Sequence, residues 1–396
     1  MSAFAWFCLV LALIGTGYQL FGLAAVVRFF RHARRRWGAL ADHTPPVTVL
    51  KPLRGPGIDL FANLESFCRQ DYPDYQIVFG VADPDDPAAE IVRRLQRAFP
   101  DRDLVLSIGE RVTPNAKIGN LIHMLEHARH DVLILSDGDI RVRPDYLRTM
   151  VRPLQSPRVG LSTCLYRGRG QFGLPSVIES LLINADFVPM AMIGNWIGIH
   201  TAYGASIAVR REALDAIGGF PAIADYLADD YELGNRVAKA GYELAVLPYV
   251  VETILDATSL RDVWRHQLRW ARTYRTVEPT GWLAAVVTFS TTWSLLFWLA
   301  VGGAPIAAKV LGAALGCRFL LLGTLTALLR ERETPLYFWL VPLKDIALSV
   351  IWLASWLGRD VEWSGRRFRV QPDGRLLPLA PDAEAPVPAP APHRSR

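Results

Sequence analysis

Residues 3–27 carry no charged side chain. That run exceeds the roughly 20 residues a helix needs to cross a bilayer, so it restricts what the chain can fold into more than any other feature. A cleaved secretory signal would start basic, run shorter and close on small residues. Here the basic cluster comes after the apolar run: Arg28, Arg31, Arg34, Arg35 and Arg36. Residues 1–30 are therefore predicted to be an uncleaved transmembrane anchor. Arginine on its far side puts the domain that follows in the cytoplasm.

Apolar sequence returns near the other end, over 282–303, 304–329 and 336–357. The basic segment 358–369 should stay on the side of the central domain, which requires an even number of crossings between them. Pro342, Lys344 and Asp345 are costly in hydrocarbon, so 336–357 is predicted to re-enter or lie in the interface. The Pro- and Ala-rich end, within a basic tail over 358–396, reads as disordered. With 51% hydrophobic and 20% charged residues, the chain is neither disordered overall nor fibrous. Its 43 Lys and Arg outnumber 38 Asp and Glu. The excess flanks the apolar segments, which suits a membrane surface and not a nucleic acid. The cysteines Cys8, Cys68, Cys164 and Cys317 form no C-x-x-C pair and give no zinc site or disulfide framework.

Between the apolar ends, 45–257 alternates strand and helix signals. Short apolar runs at 47–53, 76–83, 103–109 and 131–139 read as buried strands. Helices are expected over 60–68, 87–99 and around Ile118–Leu125, with Ile91, Leu95 and Phe99 on one face of the second. Later come strands near 159–165, 203–209 and 244–251, and a helix over 227–240. An Arg- and Trp-rich helix, 259–277, lies within an amphipathic segment 258–280. Strands alternating with helices imply an α/β fold around a largely parallel sheet, whose ligands bind beyond the C-terminal strand ends.

Several acidic residues fall at those ends. Asp137-Gly138-Asp139 closes a buried strand, and two carboxylates one residue apart can hold a hard divalent cation such as Mg²⁺ or Mn²⁺ on a phosphate. Spacing alone leaves an ordinary acidic turn open. Asp83 ends the second strand and can accept a hydrogen bond from a nucleobase or ribose; Asp85 and Asp86, before Pro87, look like helix caps. Lys117 and Asn120 lie at a helix start, where a diphosphate would be favoured. Asp229-Asp230 opens a helix; such a pair either complements the helix dipole or supplies a base of raised pKa. His266, Arg269 and Trp270 share a helix face, equally suited to phosphate and sugar contacts or to an interfacial helix.

In this order the segments VTVLKPLRG, NLESFCRQDYP, VADPDDPA, NAKIGNL, SDGDIRVRPDYL, YGASIAVRREALDAIGGF, LADDYELG and HQLRW resemble a membrane-bound, family 2-type glycosyltransferase of the ceramide glucosyltransferase-like group. CLYRGRG, LRWARTYR and EWSGRRFRV are most similar to the hopanoid biosynthesis-associated glycosyltransferases. The resemblance implies a GT-A fold, meaning a Rossmann-like mixed sheet, with an N-terminal transmembrane helix and C-terminal membrane segments over 281–357. It implies a UDP-sugar donor, UDP-N-acetylglucosamine in the hopanoid group, and a lipid acceptor, a bacteriohopanoid polyol. The expected location is the bacterial inner membrane, with the catalytic domain facing the cytoplasm. By motif, Asp83 is implied to bind nucleotide, Asp137 and Asp139 the metal and diphosphate, and Asp230 to be the base beside Asp229. Arg269 and Trp270 match the end of (Q/R)-x-x-R-W, where this chain has His266 first. A ceramide glucosyltransferase using UDP-glucose is the alternative. A processive polysaccharide synthase would need more membrane helices to form a channel, and a non-catalytic sugar-nucleotide-binding protein would not need the acidic set intact.

Overall fold

The computed structural model describes residues 1–110, 113–170 and 173–379. The Pro- and Ala-rich end expected to be disordered lies almost entirely outside them. The chain forms two compact units: Met1–Ala39, Arg167–His200 and Ala257–Arg359 in one, and Leu40–Tyr166, Thr201–Asp256 and the residues from Asp360 on in the other.

The second unit is built on a mixed sheet. Its strands are β1 (Val47–Pro52), β2 (Tyr75–Val81), β3 (Asp103–Ile108), β4 (Val132–Ser136), β5 (Ile140–Arg141), β6 (Val159–Gly170), β7 (Ser206–Arg210) and β8 (Glu243–Leu255), in the order β3-β2-β1-β4-β7-β6-β8-β5. β1, β2, β3 and β4 run parallel, and β7 turns the direction by pairing antiparallel with β4 and β6. β1, β2 and β4 are buried along almost their whole length, as strands of a helix-covered parallel sheet are. The α/β sheet with apolar helices toward both chain ends is what the sequence predicts.

The covering helices obey local rules. Pro87–Ala98 starts on Asp86, whose carboxylate accepts from the Ala88 N–H, with Pro87 in the first turn. Its buried face is Ala88, Ala89, Val92 and Leu95, with Ile91 and Phe99 at the margin. The stripe is rotated from the expected one because small alanines let the helix sit close. Ala116–Leu125 starts on Asn115 and buries Ile118, Leu121 and Met124. A side chain at Gly80 would collide with Met124 Sδ, so glycine there lets this helix lie against β2.

The basic segment after 358 is not a tail. Asp360–Trp363, Arg366–Val370 and Leu376–Pro378 form a three-stranded antiparallel sheet. Val361, Phe368, Val370 and Leu376 close over Leu227. Main-chain bonds tie Leu227 N–H to the Gly374 carbonyl and Leu376 N–H to that of Asp225. The sheet thus grips the loop that leads into Asp229-Asp230.

The first unit is helical. Ala3–Gly38, Leu174–Trp196, Pro305–Leu329 and the segment Thr334–Ser355 are each long and apolar enough to cross a membrane, as is the bent pair Pro279–Thr288 and Ser290–Ala300 if it counts as one span. Leu174–Trp196 divides the 45–257 stretch that the sequence suggested was continuous. Gly15 lets Ala3–Gly38 touch the Ala285–Thr288 turn, since a Cβ there would sit 2.8 Å from the Val287 carbonyl. Lys344 and Asp345 are buried but paired: Lys344 bonds Asp186 and Asp345, and Arg318 bonds Asp186 and Asp345 (3.0 Å). Thr291 donates to Asp345 at 2.7 Å. Two cations and two carboxylates cancel, which removes most of the cost of placing them there.

Candidate active site

Four chemistry-bearing side chains from distant parts of the chain meet beyond the C-terminal ends of the parallel strands. Helix Ala116–Leu125 places Lys117 there, and its Nζ lies 2.7 Å from Asp137 Oδ1 and 3.6 Å from Asp229 Oδ2. It also donates to the Gly204 carbonyl at 3.2 Å. Asp230 accepts from the Gly204 N–H through Oδ2 and from the Tyr231 N–H through Oδ1, both at 2.8 Å. A Cβ on Gly204 would stand 3.0 Å from Asp230 Oδ2. Glycine therefore allows the backbone to approach the carboxylate.

The acidic turn is fixed on both sides. Ile140 N–H bonds the Asp137 carbonyl, and Ile254 N–H of β8 bonds that of Asp139 at 2.9 Å. Gly138 fits because a side chain would meet Leu53 at 3.1 Å. Beneath the turn lies Lys51, fully buried, donating to Ser136 Oγ at 3.3 Å and to the Asp137 carbonyl.

Electrostatics separate the roles of these groups. Burial, then the neighbouring Asp229 carboxylate, pushes Asp230 up to about 6, and the Lys117 ammonium and two backbone N–H groups moderate the rise. Asp229 is also raised, by burial, against the pull of Lys117. Burial would lower Lys117, but Asp137, Asp229 and Asp230 outweigh it and raise its pKa. Lys51 is lowered to about 7 by burial, with Asp137 and Asp139 opposing. Solvent reaches Asp139, yet the protein crowded around it and the Asp137 charge push it up to about 7. Among the described residues its carboxylate has no ion pair and no hydrogen bond to another side chain. A repelled, unpaired carboxylate beside a second one fits a divalent cation. No group of three His, Cys, Asp or Glu side chains is assembled for a metal among the described residues. The fit is therefore to a cation shared with a ligand's phosphates, as Mg²⁺ is commonly held.

The other predicted residues are distributed differently. Asp83 follows β2 on the same sheet edge and is exposed; its Oδ1 accepts from Asp85 N–H at 2.9 Å. Asn120 is buried, and its amide donates to the Leu53 and Gly80 carbonyls at 3.3 Å. It ties the ends of β1 and β2 together, so its amide is spent on the scaffold and not offered to a nucleotide. His266, Arg269 and Trp270 sit in the helical unit on Leu260–Val277. His266 Nδ1 bonds the buried Glu179 carboxylate, and its ring meets Trp270 edge-on at 4.9 Å. Glu179 thus gives the departing first position of that motif a partner of its own. Lys51, Gly204 and Glu179 were not singled out by sequence reasoning. Only Lys51, a charge inside the apolar run VTVLKP, left a signal.

Residues 7–376 match the family described as Glycosyl transferase family 21. The chain belongs to that family. This family 21 glycosyltransferase is similar to ceramide glucosyltransferase 1 of Caenorhabditis elegans, 24% identical over 84% of this chain and 73% of the relative. Ceramide glucosyltransferase 3 of the same organism is 28% identical over 58% of this chain and 50% of the relative. Among solved structures, a mannosyltransferase from Pyrobaculum calidifontis in complex with GDP-Man and Mn²⁺ aligns over 88% of this chain and 98% of its own, with 21% identity and a TM-score of 0.48. The ceramide glucosyltransferase likeness of the motifs holds for this family 21 chain.

Proposed function

We propose that this protein transfers a sugar from a UDP-sugar to the hydroxyl of a membrane lipid, with inversion at the anomeric carbon. The donor is UDP-N-acetylglucosamine and the acceptor a bacteriohopanoid polyol. The observation that carries the reading is the convergence of Asp230, of raised pKa and held by two N–H groups, with Lys117 and Asp137 at one sheet edge. Asp230 takes the acceptor hydroxyl proton as that oxygen attacks C1. The bond from C1 to the diphosphate oxygen breaks, and UDP leaves with the electron pair. Asp83 accepts from the nucleoside, and Asp137 and Asp139 are the residues that would hold Mg²⁺ or Mn²⁺. When bound, such an ion offsets charge on the diphosphate. Arg269 and Trp270 are assigned to the reaction by motif alone.

The names of the curated relatives favour a second reading, with ceramide as acceptor and UDP-glucose as donor. One assay separates them. Membranes holding this protein receive each UDP-sugar with each lipid, and products are weighed by mass spectrometry. A hopanoid gaining N-acetylhexosamine supports the first reading. Glucosylceramide replaces it with the second, and no glycolipid from any pair overturns both.

The proposal includes a location, the bacterial inner membrane with the sheet on the cytoplasmic side, and a path of three crossings. Residues 161–163 of β6 pair with 207–209 of β7, so the chain enters and leaves Leu174–Trp196 from one sheet. A single crossing there would separate paired strands by about 30 Å of hydrocarbon. The helix is therefore assigned to lie along the membrane surface without crossing it. The segment Ala257–Arg359 likewise starts and ends at the sheet-bearing unit, which requires an even number of crossings. Val341–Ser355 has 15 helical residues, about 22 Å, and carries the paired Lys344 and Asp345. It is assigned as re-entrant, leaving 279–300 and 305–329 to cross. In a cysteine-free background, Gly303→Cys should react with an impermeant maleimide on intact cells. Gly198→Cys and Arg332→Cys should react only after permeabilisation, and their labelling from outside would reject the path.

A further inference from the structure

Lys51 is the one charged residue in β1, and it is fully buried. Its ammonium has no carboxylate within ion-pairing distance among the described residues. Instead it donates to Ser136 Oγ at 3.3 Å and to the Asp137 carbonyl, and it lies 3.9 Å from the centre of the Phe67 ring. A buried ammonium whose direct contacts are all neutral is costly even with Asp137 and Asp139 attracting it from farther off, and an apolar side chain of similar length would pack there at less expense. The reaction outlined above gives it no role. What it touches is informative: all its polar contacts are to the last residue of β4 and the first of the acidic turn.

We propose that Lys51 is a positioning residue that holds the Asp137-Gly138-Asp139 main chain from beneath and so presets the turn for a cation-bound diphosphate. Three features of the surroundings agree. The aromatic face of Phe67 fixes the ammonium laterally. Ser136, buried at the strand end, presents its hydroxyl to the ammonium. The turn is pinned from the opposite strand by Ile254 N–H on the Asp139 carbonyl, so Lys51 supplies the second anchor. Without it the Asp137 carbonyl, which also accepts from Ile140 N–H, loses its bond into the core, and the two carboxylates lose their set spacing.

This inference rests on the donor-binding part of the proposed function. Its test uses Mn²⁺ and UDP alone, on detergent-purified full-length protein, and needs no lipid. For Lys51→Met we expect the dissociation constants of Mn²⁺ and of UDP in its presence to rise at least tenfold. In membranes the KM for UDP-sugar should rise in parallel while the KM for the lipid stays unchanged. A merely structural role would lower the yield or kcat and leave those constants alone. If Lys51→Met does not accumulate, Phe67→Leu keeps the apolar contact, removes the ring face, and should shift the same constants about threefold. Wild-type constants in whichever variant folds would overturn the inference. Wild-type protein that binds neither Mn²⁺ nor UDP would overturn both it and the proposed function.

Discussion

Asp230→Asn should lower kcat by about 10²- to 10⁴-fold, the usual worth of a positioned general base, while UDP binding stays near wild type. The substitution is nearly isosteric. The amide oxygen keeps one of the two backbone hydrogen bonds and leaves either Gly204 or Tyr231 N–H without its acceptor. That local loss costs about 1 kcal/mol of stability, too little to mimic loss of the base. The pH profile adds a separate check. With Asp230 pushed up to about 6, kcat/KM in the wild type should climb with pH and level off above that value, and the acid limb should vanish in the variant. Stability runs the other way. A carboxyl whose folded pKa lies above its unfolded value binds extra protons when folded. Its contribution is therefore present below about pH 4 and is lost as pH rises toward 6. At neutral pH the removal of that penalty on the buried charge offsets the lost hydrogen bond, so Asp230→Asn should melt near the wild-type temperature. Near-normal transfer by the variant would end the base assignment.

The fold was legible where a single local rule decided the outcome. Short apolar runs gave the four parallel strands, and Asp83 after β2 and Asp137 and Asp139 after β4 fall at the strand ends where that topology places ligands. Legibility failed where the deciding partner was remote. Asn120 looked like a phosphate ligand at a helix start, but the carbonyls that claim it belong to β2 and to the residue after β1. Gly204 contributes through its backbone, which no side-chain pattern reports. Leu174–Trp196 is apolar around most of its surface, so it shows no periodicity to separate it from the strands beside it. The C-terminal sheet is a different case, because its signal was present. Ser364 and Gly365 both have positive φ, as a two-residue hairpin turn demands, and Val361 and Phe368 flank it facing the core. The density of arginine drew attention to the membrane and away from that alternation.

Asp139→Ala should lower turnover by about 10²- to 10³-fold and, in contrast with Asp137→Ala, leave the fold intact. The asymmetry follows from their partners. Asp137 is tied to Lys117 at 2.7 Å, so losing it removes the nearest carboxylate from an ammonium crowded by protein and leaves it to Asp229 at 3.6 Å and the Gly204 carbonyl. Asp139 has no such tie among the described residues and is repelled by Asp137, so its removal relieves the folded state at neutral pH. What the variant should lose is sensitivity to chelator: the wild type falls sharply in EDTA, and the small residual rate of Asp139→Ala does not change. Because burial and Asp137 push Asp139 up to about 7, a divalent cation must displace a proton there below that pH. Apparent cation affinity in the wild type should therefore increase between about pH 6 and pH 8, measured as the Mn²⁺ concentration for half-maximal UDP binding. Full wild-type activity in chelator, or a cation affinity that ignores pH across that range, would show that the pair is an acidic turn without a metal and that the diphosphate is held by Lys117 and its neighbours alone.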